Sequence, residues 1–221
     1  MGERPGNGRG ERGRTRVAAG ARDGARPDRL SSQRQRALIA QATARLIVEH
    51  GITDWSLAKR KATRTLGLPD TVQLPSNDEI ESALTEHHAL FGGDSHREQL
   101  RQQRTAALDW MRRLDAFAPL LVGGVAAGWA TEHSDIRLDL TADDPKAVEI
   151  VLASAGIGYA ATAPGDDELR PQGSVQLLIS TPRHRIRLAI STPAQRRNRP
   201  RRDDEPRLNR GDVAALLAAT E

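Results

Sequence analysis

Near residue 115 the hydrophobic pattern of this chain changes period. Upstream, apolar residues recur at helical spacing; downstream, they alternate. A period of 3.6 buries one stripe of a helix, and a period of 2 buries one face of a strand. A chain that switches once from the first to the second builds helices, then a sheet. Ser31 or Ser32 can cap a helix running to about Glu49, with Ala37, Ala40, Ala44, Ile47 and Val48 on its stripe and Gly51 as its stop. Asp54 caps a second, about Trp55 to Leu66, closed by Gly67 and Pro69. Asn77 or Asp78 caps a third through about Leu90, and Gly92-Gly93 breaks it. Ser95 starts a fourth that reaches Leu114 and carries Leu100, Ala107, Leu108 and Met111.

Beyond the switch, Pro119 to Val122 reads as a short buried strand. Asp135 to Leu140 alternates, with Ile136, Leu138 and Leu140 on one side and Asp135, Arg137 and Asp139 on the other. Pro145 to Ala155 reads as a helix, Gly158 to Thr162 as a strand, and Val175 to Ser180 and Arg185 to Ser191 as two stronger strands joined around Pro182. Residues 193 to 210 read as an Arg/Pro-rich loop, and a last short helix begins at Asp212. The expected class is α+β: an Arg/Gly-rich disordered tail over residues 1–30, a helical segment over 31–92, and an α/β domain over 95–221.

Composition narrows the function. The chain has no cysteine, which removes disulfides, thiolate metal sites and a Cys nucleophile. Its longest apolar stretch, Ala116 to Ala130, is interrupted by Pro119, Gly123, Gly124 and Gly128, so no membrane span is expected. The tail lacks the apolar segment of a secretory signal, and the cytoplasm is the expected compartment. With aromatics at 3%, the core must be made of Leu, Ile, Val and Ala. The formal charge is +4, almost all of it arginine, because lysine occurs only at Lys59, Lys61 and Lys146. A GC-rich bacterial coding sequence produces the same bias. The six histidines have no zinc-like spacing; His133 lies two residues before Asp135. No Gly-Lys-Ser/Thr phosphate loop, Gly-x-Gly-x-x-Gly or Gly-x-Ser-x-Gly is present.

The informative stretch is Leu121-Val122-Gly123-Gly124, followed by Ser134-Asp135-Ile136-Arg137-Leu138-Asp139-Leu140. Paired glycines let a backbone approach a triphosphate, and carboxylates at i and i+2 on a strand can share Mg²⁺. The stretch resembles the DNA polymerase β-like nucleotidyltransferase superfamily, whose signature is an apolar strand, Gly-Gly or Gly-Ser, a short helix, then Asp-x-Asp or Asp-x-Glu on a strand. Upstream, Ala58-Lys59-Arg60-Lys61-Ala62 and Asn77-Asp78-Glu79-Ile80-Glu81 look like segments of small bacterial nucleotidyltransferase-like proteins. The resemblance implies a nucleotidyltransferase-like mixed sheet flanked by helices. It implies nucleotide contacts at Gly123, Gly124 and Ser134, Asp135 as catalytic metal ligand, and Mg²⁺ as cofactor if the protein is active.

Two departures change the expectation. The second family carboxylate would fall at Arg137, and the third at Arg187. A site that holds Mg²⁺ by charge would then repel it. Asp139 faces the same side as Asp135 but roughly 6.6 to 7 Å along the strand, too far for an ordinary shared ligand pair. Arg137 and Arg187 either present guanidinium groups to phosphate or are strand arginines left by lost activity.

Three functions remain. The first is a catalytically weakened or inactive nucleotidyltransferase fold binding a nucleoside triphosphate or RNA. The second is an active Mg²⁺-dependent nucleotidyltransferase drawing a second acid from Asp139 or the Asp166-Asp167-Glu168 loop. The third is a DNA-binding regulator, because Arg34 to Leu68 resembles the start of a tetracycline-repressor-like domain. The basic residues Lys59, Arg60, Lys61 and Arg64, and the Arg cluster at 195–202, are either solvated surface or phosphate contacts.

Overall fold

The computed structural model describes residues 25–162, 174–198 and 206–219. The Arg/Gly-rich stretch through residue 24, the Asp166-Asp167-Glu168 loop and Arg199, Arg201 and Arg202 lie outside the described residues. The first half is helical: α1 (Ala25–His50), α2 (Trp55–Thr65), α3 (Asn77–Phe91) and α4 (Gly93–Arg113). The second half is a five-stranded sheet with helices: β1 (Leu120–Val122), α5 (Gly124–Ala127), β2 (Ile136–Thr141), α6 (Lys146–Ser154), β3 (Ala160–Ala161), β4 (Val175–Ser180), β5 (Arg185–Ser191), α7 (Pro193–Asn198) and α8 (Arg210–Ala218). The class is α+β, as expected.

Several boundaries differ from the sequence expectation, each for a local reason. α1 starts at Ala25 and not at Ser31 or Ser32. Pro27 falls in its first turn, and the Arg- and Gln-rich residues after it are good helix formers, so the serines are carried inside. α3 is capped by Ser76, one residue before the expected Asn77 or Asp78. Its hydroxyl accepts from the Glu79 N–H while Glu79 Oε2 accepts from the Ser76 N–H, a reciprocal capping box. α4 starts at Gly93, ahead of Ser95, because Gly92 keeps helical dihedrals and bridges it directly to α3. α7 occupies a stretch expected to be loop. α8 is capped by Asn209, before Asp212, which instead returns its carboxylate to the Asn209 N–H.

Two cores form. Ala40, Ala44 and Ile47 of α1, Ala58 of α2, and Ile80, Ala83 and Leu84 of α3 make the first. The alanines let the three helices approach closely. The second lies on one face of the sheet, whose strand order is β1-β2-β5-β4-β3. β2 and β5 run parallel, and the other neighbours are antiparallel. Ile136, Leu138 and Leu140 of β2, Ile186, Leu188 and Ile190 of β5, and Leu177 and Ile179 of β4 point into this core. They meet Leu100, Ala107, Leu108 and Met111 of α4, Val148 and Leu152 of α6, and Val213 of α8. Strand alternation therefore sends Arg137, Asp139, Arg187, Ala189, Gln176 and Leu178 to the opposite face. Leu208 pairs with Leu121 through two backbone hydrogen bonds of 2.8 and 2.9 Å, which brings the C-terminal segment along the outer side of β1.

The segment after β1 reaches the first core through Ala127 and Trp129. Trp129, in the segment between α5 and β2, is buried with the α1–α3 cluster and lies 5.5 Å from Trp55, centroid to centroid. Trp129→Ala is expected to lower stability by about 3–5 kcal/mol, measured by urea unfolding. A loss near zero would mean that the ring does not couple the two halves.

Candidate functional site

The site is built on the turn after β1. Gly123 has φ +68°, a conformation that side-chain-bearing residues rarely adopt, and a Cβ there would lie 3.1 Å from Arg137 Cδ. At Gly124 a Cβ would meet the Trp129 ring at 2.7 Å. The pair is thus required twice, once to turn the backbone under Arg137 and once to seat Trp129. The Gly124 carbonyl accepts from the N–H groups of Gly128, Trp129 and Ala130, which closes α5 into a tight loop.

α4 holds this loop from behind. Gln103 Nε2 donates to the Thr131 carbonyl at 2.9 Å, and Gln99 Nε2 to that of Ala130 at 3.4 Å. Arg104 Nε donates to the Val125 carbonyl at 3.1 Å. His96 Nε2 lies 3.1 Å from the Gly128 carbonyl. These groups recur at helical spacing, so one face of α4 answers four loop carbonyls, those of Val125, Gly128, Ala130 and Thr131. Burial lowers the Arg104 pKa. The stripe was not anticipated from sequence; its signal was a row of His, Gln and Arg flanking the apolar positions Leu100 and Ala107.

Beyond the loop, Asp135 precedes β2 with its side chain 9% exposed. Arg187 donates to its Oδ2 from Nη2 at 2.6 Å and from Nε at 3.1 Å. Arg185 Nε lies 2.8 Å from Oδ1, close enough for an ion pair but out of line for a hydrogen bond. Parallel pairing places Arg137 directly beside Arg187. Two guanidiniums therefore hold the Asp135 carboxylate, and Arg137 stands in register beside one of them. Arg185 was not singled out in the sequence, although the alternation that selects Arg187 also selects it.

The other expected residues have different surroundings. Ser134 Oγ accepts from the Thr131 N–H at 2.9 Å and lies 3.2 Å from Thr131 Oγ1, so it ties the turn that delivers Asp135. His133 packs against Gly51 at the end of α1, and its carbonyl lies 3.5 Å from Arg185 Nη2. Asp139 lies one strand repeat beyond Arg137 and pairs with Arg207 at 3.9 Å. Arg196 of α7 donates to Thr141 Oγ1 at the far end of β2.

This donor set does not fit Mg²⁺. A divalent ion bound by carboxylates needs two or more converging acids. Here Asp135 is already taken by two arginines, the i+2 position is Arg137, and Asp139 pairs with Arg207. Among the described residues, no group of three or more His, Asp or Glu side chains is arranged to hold a metal. No helix among them is long and apolar enough to cross a membrane. When the chain is compared with known proteins, no family model and no curated protein matches it.

The loop is also braced by histidines at the junction of α3 and α4. The rings of His88 and His96 stack at 3.7 Å between centroids, and His87 meets His88 edge-on. Burial and then the neighbouring His96 and His87 lower the His88 pKa from 6.5 to about 4. The unfolded chain therefore takes up a proton at higher pH than the folded one. Stability from this group is complete above pH 6.5 and is lost as the pH falls toward 4. Urea midpoints are expected to fall between pH 7 and pH 5, and less steeply in His88→Gln. Gln103→Ala leaves the Thr131 carbonyl unpaired in a buried setting and is expected to cost about 1–3 kcal/mol in the same assay.

Proposed function

We propose that this protein binds a phosphate-bearing ligand, a nucleotide or an RNA end, through arginines and without metal, with little or no turnover. The observation that carries this is the pairing of Asp135 with Arg185 and Arg187, with Arg137 in register beside them. In the nucleotidyltransferase superfamily that the sequence resembles, the corresponding face holds acids around Mg²⁺. Here guanidinium groups stand there, and a planar guanidinium offers two parallel donors to a phosphate. Asp135 then acts as an orienting residue: its oxygens fix Arg187, which lowers the entropy lost when a ligand binds. The Gly123 backbone supplies a wall without a side chain next to Arg137.

Metal-dependent transfer has less support, because Asp135 is held by Arg185 and Arg187 and no group of three His, Asp or Glu side chains is arranged to hold a metal among the described residues. The DNA-regulator reading also has less. Arg60, Lys61 and Arg64 are exposed on α2, but residues 66–76 form turns where a recognition helix would be needed.

Calorimetric titration of ATP in EDTA and in Mg²⁺ tests the proposal. Binding is expected in EDTA and equal or weaker in Mg²⁺, since the ion neutralises part of the triphosphate that the arginines attract. Substituting Arg137→Gln and Arg187→Gln together is expected to weaken it by roughly 100-fold. Binding that appears only with Mg²⁺ would overturn the metal-free site.

A further inference from the structure

α2 carries the cations Lys59, Arg60, Lys61 and Arg64, and no acid. Elsewhere the helices set a carboxylate beside an exposed arginine. α1 pairs Arg45 with Glu49, and α4 pairs Arg97 with Asp94, Arg101 with Glu98 and Arg112 with Asp109. On α2, Arg60, Lys61 and Arg64 are exposed and form no ion pair among the described residues.

Helical spacing puts these three on one side. Arg60 and Arg64 are one turn apart, about 6 Å along the axis, and Lys61 lies beside them. Like charges three and four residues apart weaken a helix. Arg64 offsets part of that from the last turn, through the helix dipole, but Arg60 and Lys61 sit in mid-helix. Their charge gives the fold no stabilising contact in return, and it is open to a partner.

The surroundings decide which partner fits. The opposite side of α2 is buried through Ala58, Ala62 and Thr63, so α2 has no apolar face left to enter a bilayer. A protein interface is built around an apolar or aromatic centre. On this side of α2 a single exposed leucine, Leu57, stands one turn before the cations. What remains is a short row of positive charge, complementary to a chain of repeating anions. A phosphate backbone is such a chain.

We propose that the outer face of α2 is a nucleic-acid contact, in which Arg60, Lys61 and Arg64 grip backbone phosphates. Contacts of this kind position a strand and carry no sequence information. They need no recognition helix, and the turns over residues 66–76 supply none. The contact is independent of the arginine pair on the sheet, and neither stands or falls with the other.

The test is fluorescence anisotropy of the full chain with a labelled single-stranded RNA and the DNA of the same sequence, over a salt series. Three proteins are compared. The first is the wild type, and the second carries Arg60→Gln, Lys61→Gln and Arg64→Gln. The third carries Arg45→Gln, Arg97→Gln and Arg112→Gln, which removes the same charge from arginines that have acids of their own. Glutamine is a good helix former and all six side chains are exposed, so both variants are expected to fold, checked by thermal melting. The α2 variant is expected to bind both strands roughly 10- to 100-fold more weakly at about 0.1 M salt, with the salt slope reduced by about 2. The control is expected to stay within about threefold of the wild type. Weakening on RNA alone, or on DNA alone, assigns the contact to that polymer. An α2 variant no weaker than the control, or a wild type that binds neither strand, overturns the proposal. So does polyglutamate that displaces the strand as well as unlabelled nucleic acid does, which would make α2 a surface for acidic protein.

Discussion

Four side chains on one face of α4 hold the segment from Val125 to Thr131, and the rest of the site depends on that hold. α5 is a single turn, so the carbonyls at its end and beyond it need partners from elsewhere. His96, Gln99, Gln103 and Arg104 supply them. With the loop fixed, Trp129 can reach back into the α1–α3 core, and the chain re-enters the sheet at Asp135 at a defined height. The β1–β2 pairing, Val122 opposite Arg137, sets Gly123 beside Arg137, and these bonds set the path of the loop that follows it. A helix usually counted as a lid on the hydrophobic core here also sets the geometry of a polar site.

The outer face of the sheet carries its charge independently of the frame beneath it. Strand order, register and the glycine turn bring together positions that would suit converging acids. The residues at those positions are arginines. Charge and frame are separable because they rest on different atoms. The frame is set by Ile136, Leu138, Leu140, Ile186, Leu188 and Ile190 on the buried side, and the charge by the residues between them. Exchanging acids for guanidiniums on the outer side leaves the inner face unchanged.

Much of this was legible in the sequence. The alternation from Asp135 to Leu140 and from Arg185 to Ser191 assigned each side chain to a face before any coordinate was known, and those assignments hold in β2 and β5. Alternation alone does not say which strand neighbours which, and only the family resemblance set the Arg187 strand beside Asp135. The pairing of β2 with β5 places Arg187 on Asp135, and 52 residues separate them in the chain. Helix starts were misplaced where propensity carried a helix through a capping residue, as at Ser31 and Ser32. The α4 stripe was missed because polar residues beside an apolar stripe read as solvent-facing until the loop they serve is placed.

The short pairing of Leu208 with Leu121 has a consequence for how the protein meets other molecules. An exposed sheet edge is a row of unpaired backbone donors and acceptors, open to any extended chain that lies alongside. On the β1 side Leu208 already uses both backbone groups of Leu121. On the other side β3 is two residues long, too short to guide an incoming strand. Among the described residues, neither margin gives a foreign strand much to extend, which leaves the faces of the sheet, and not its edges, for other molecules to meet.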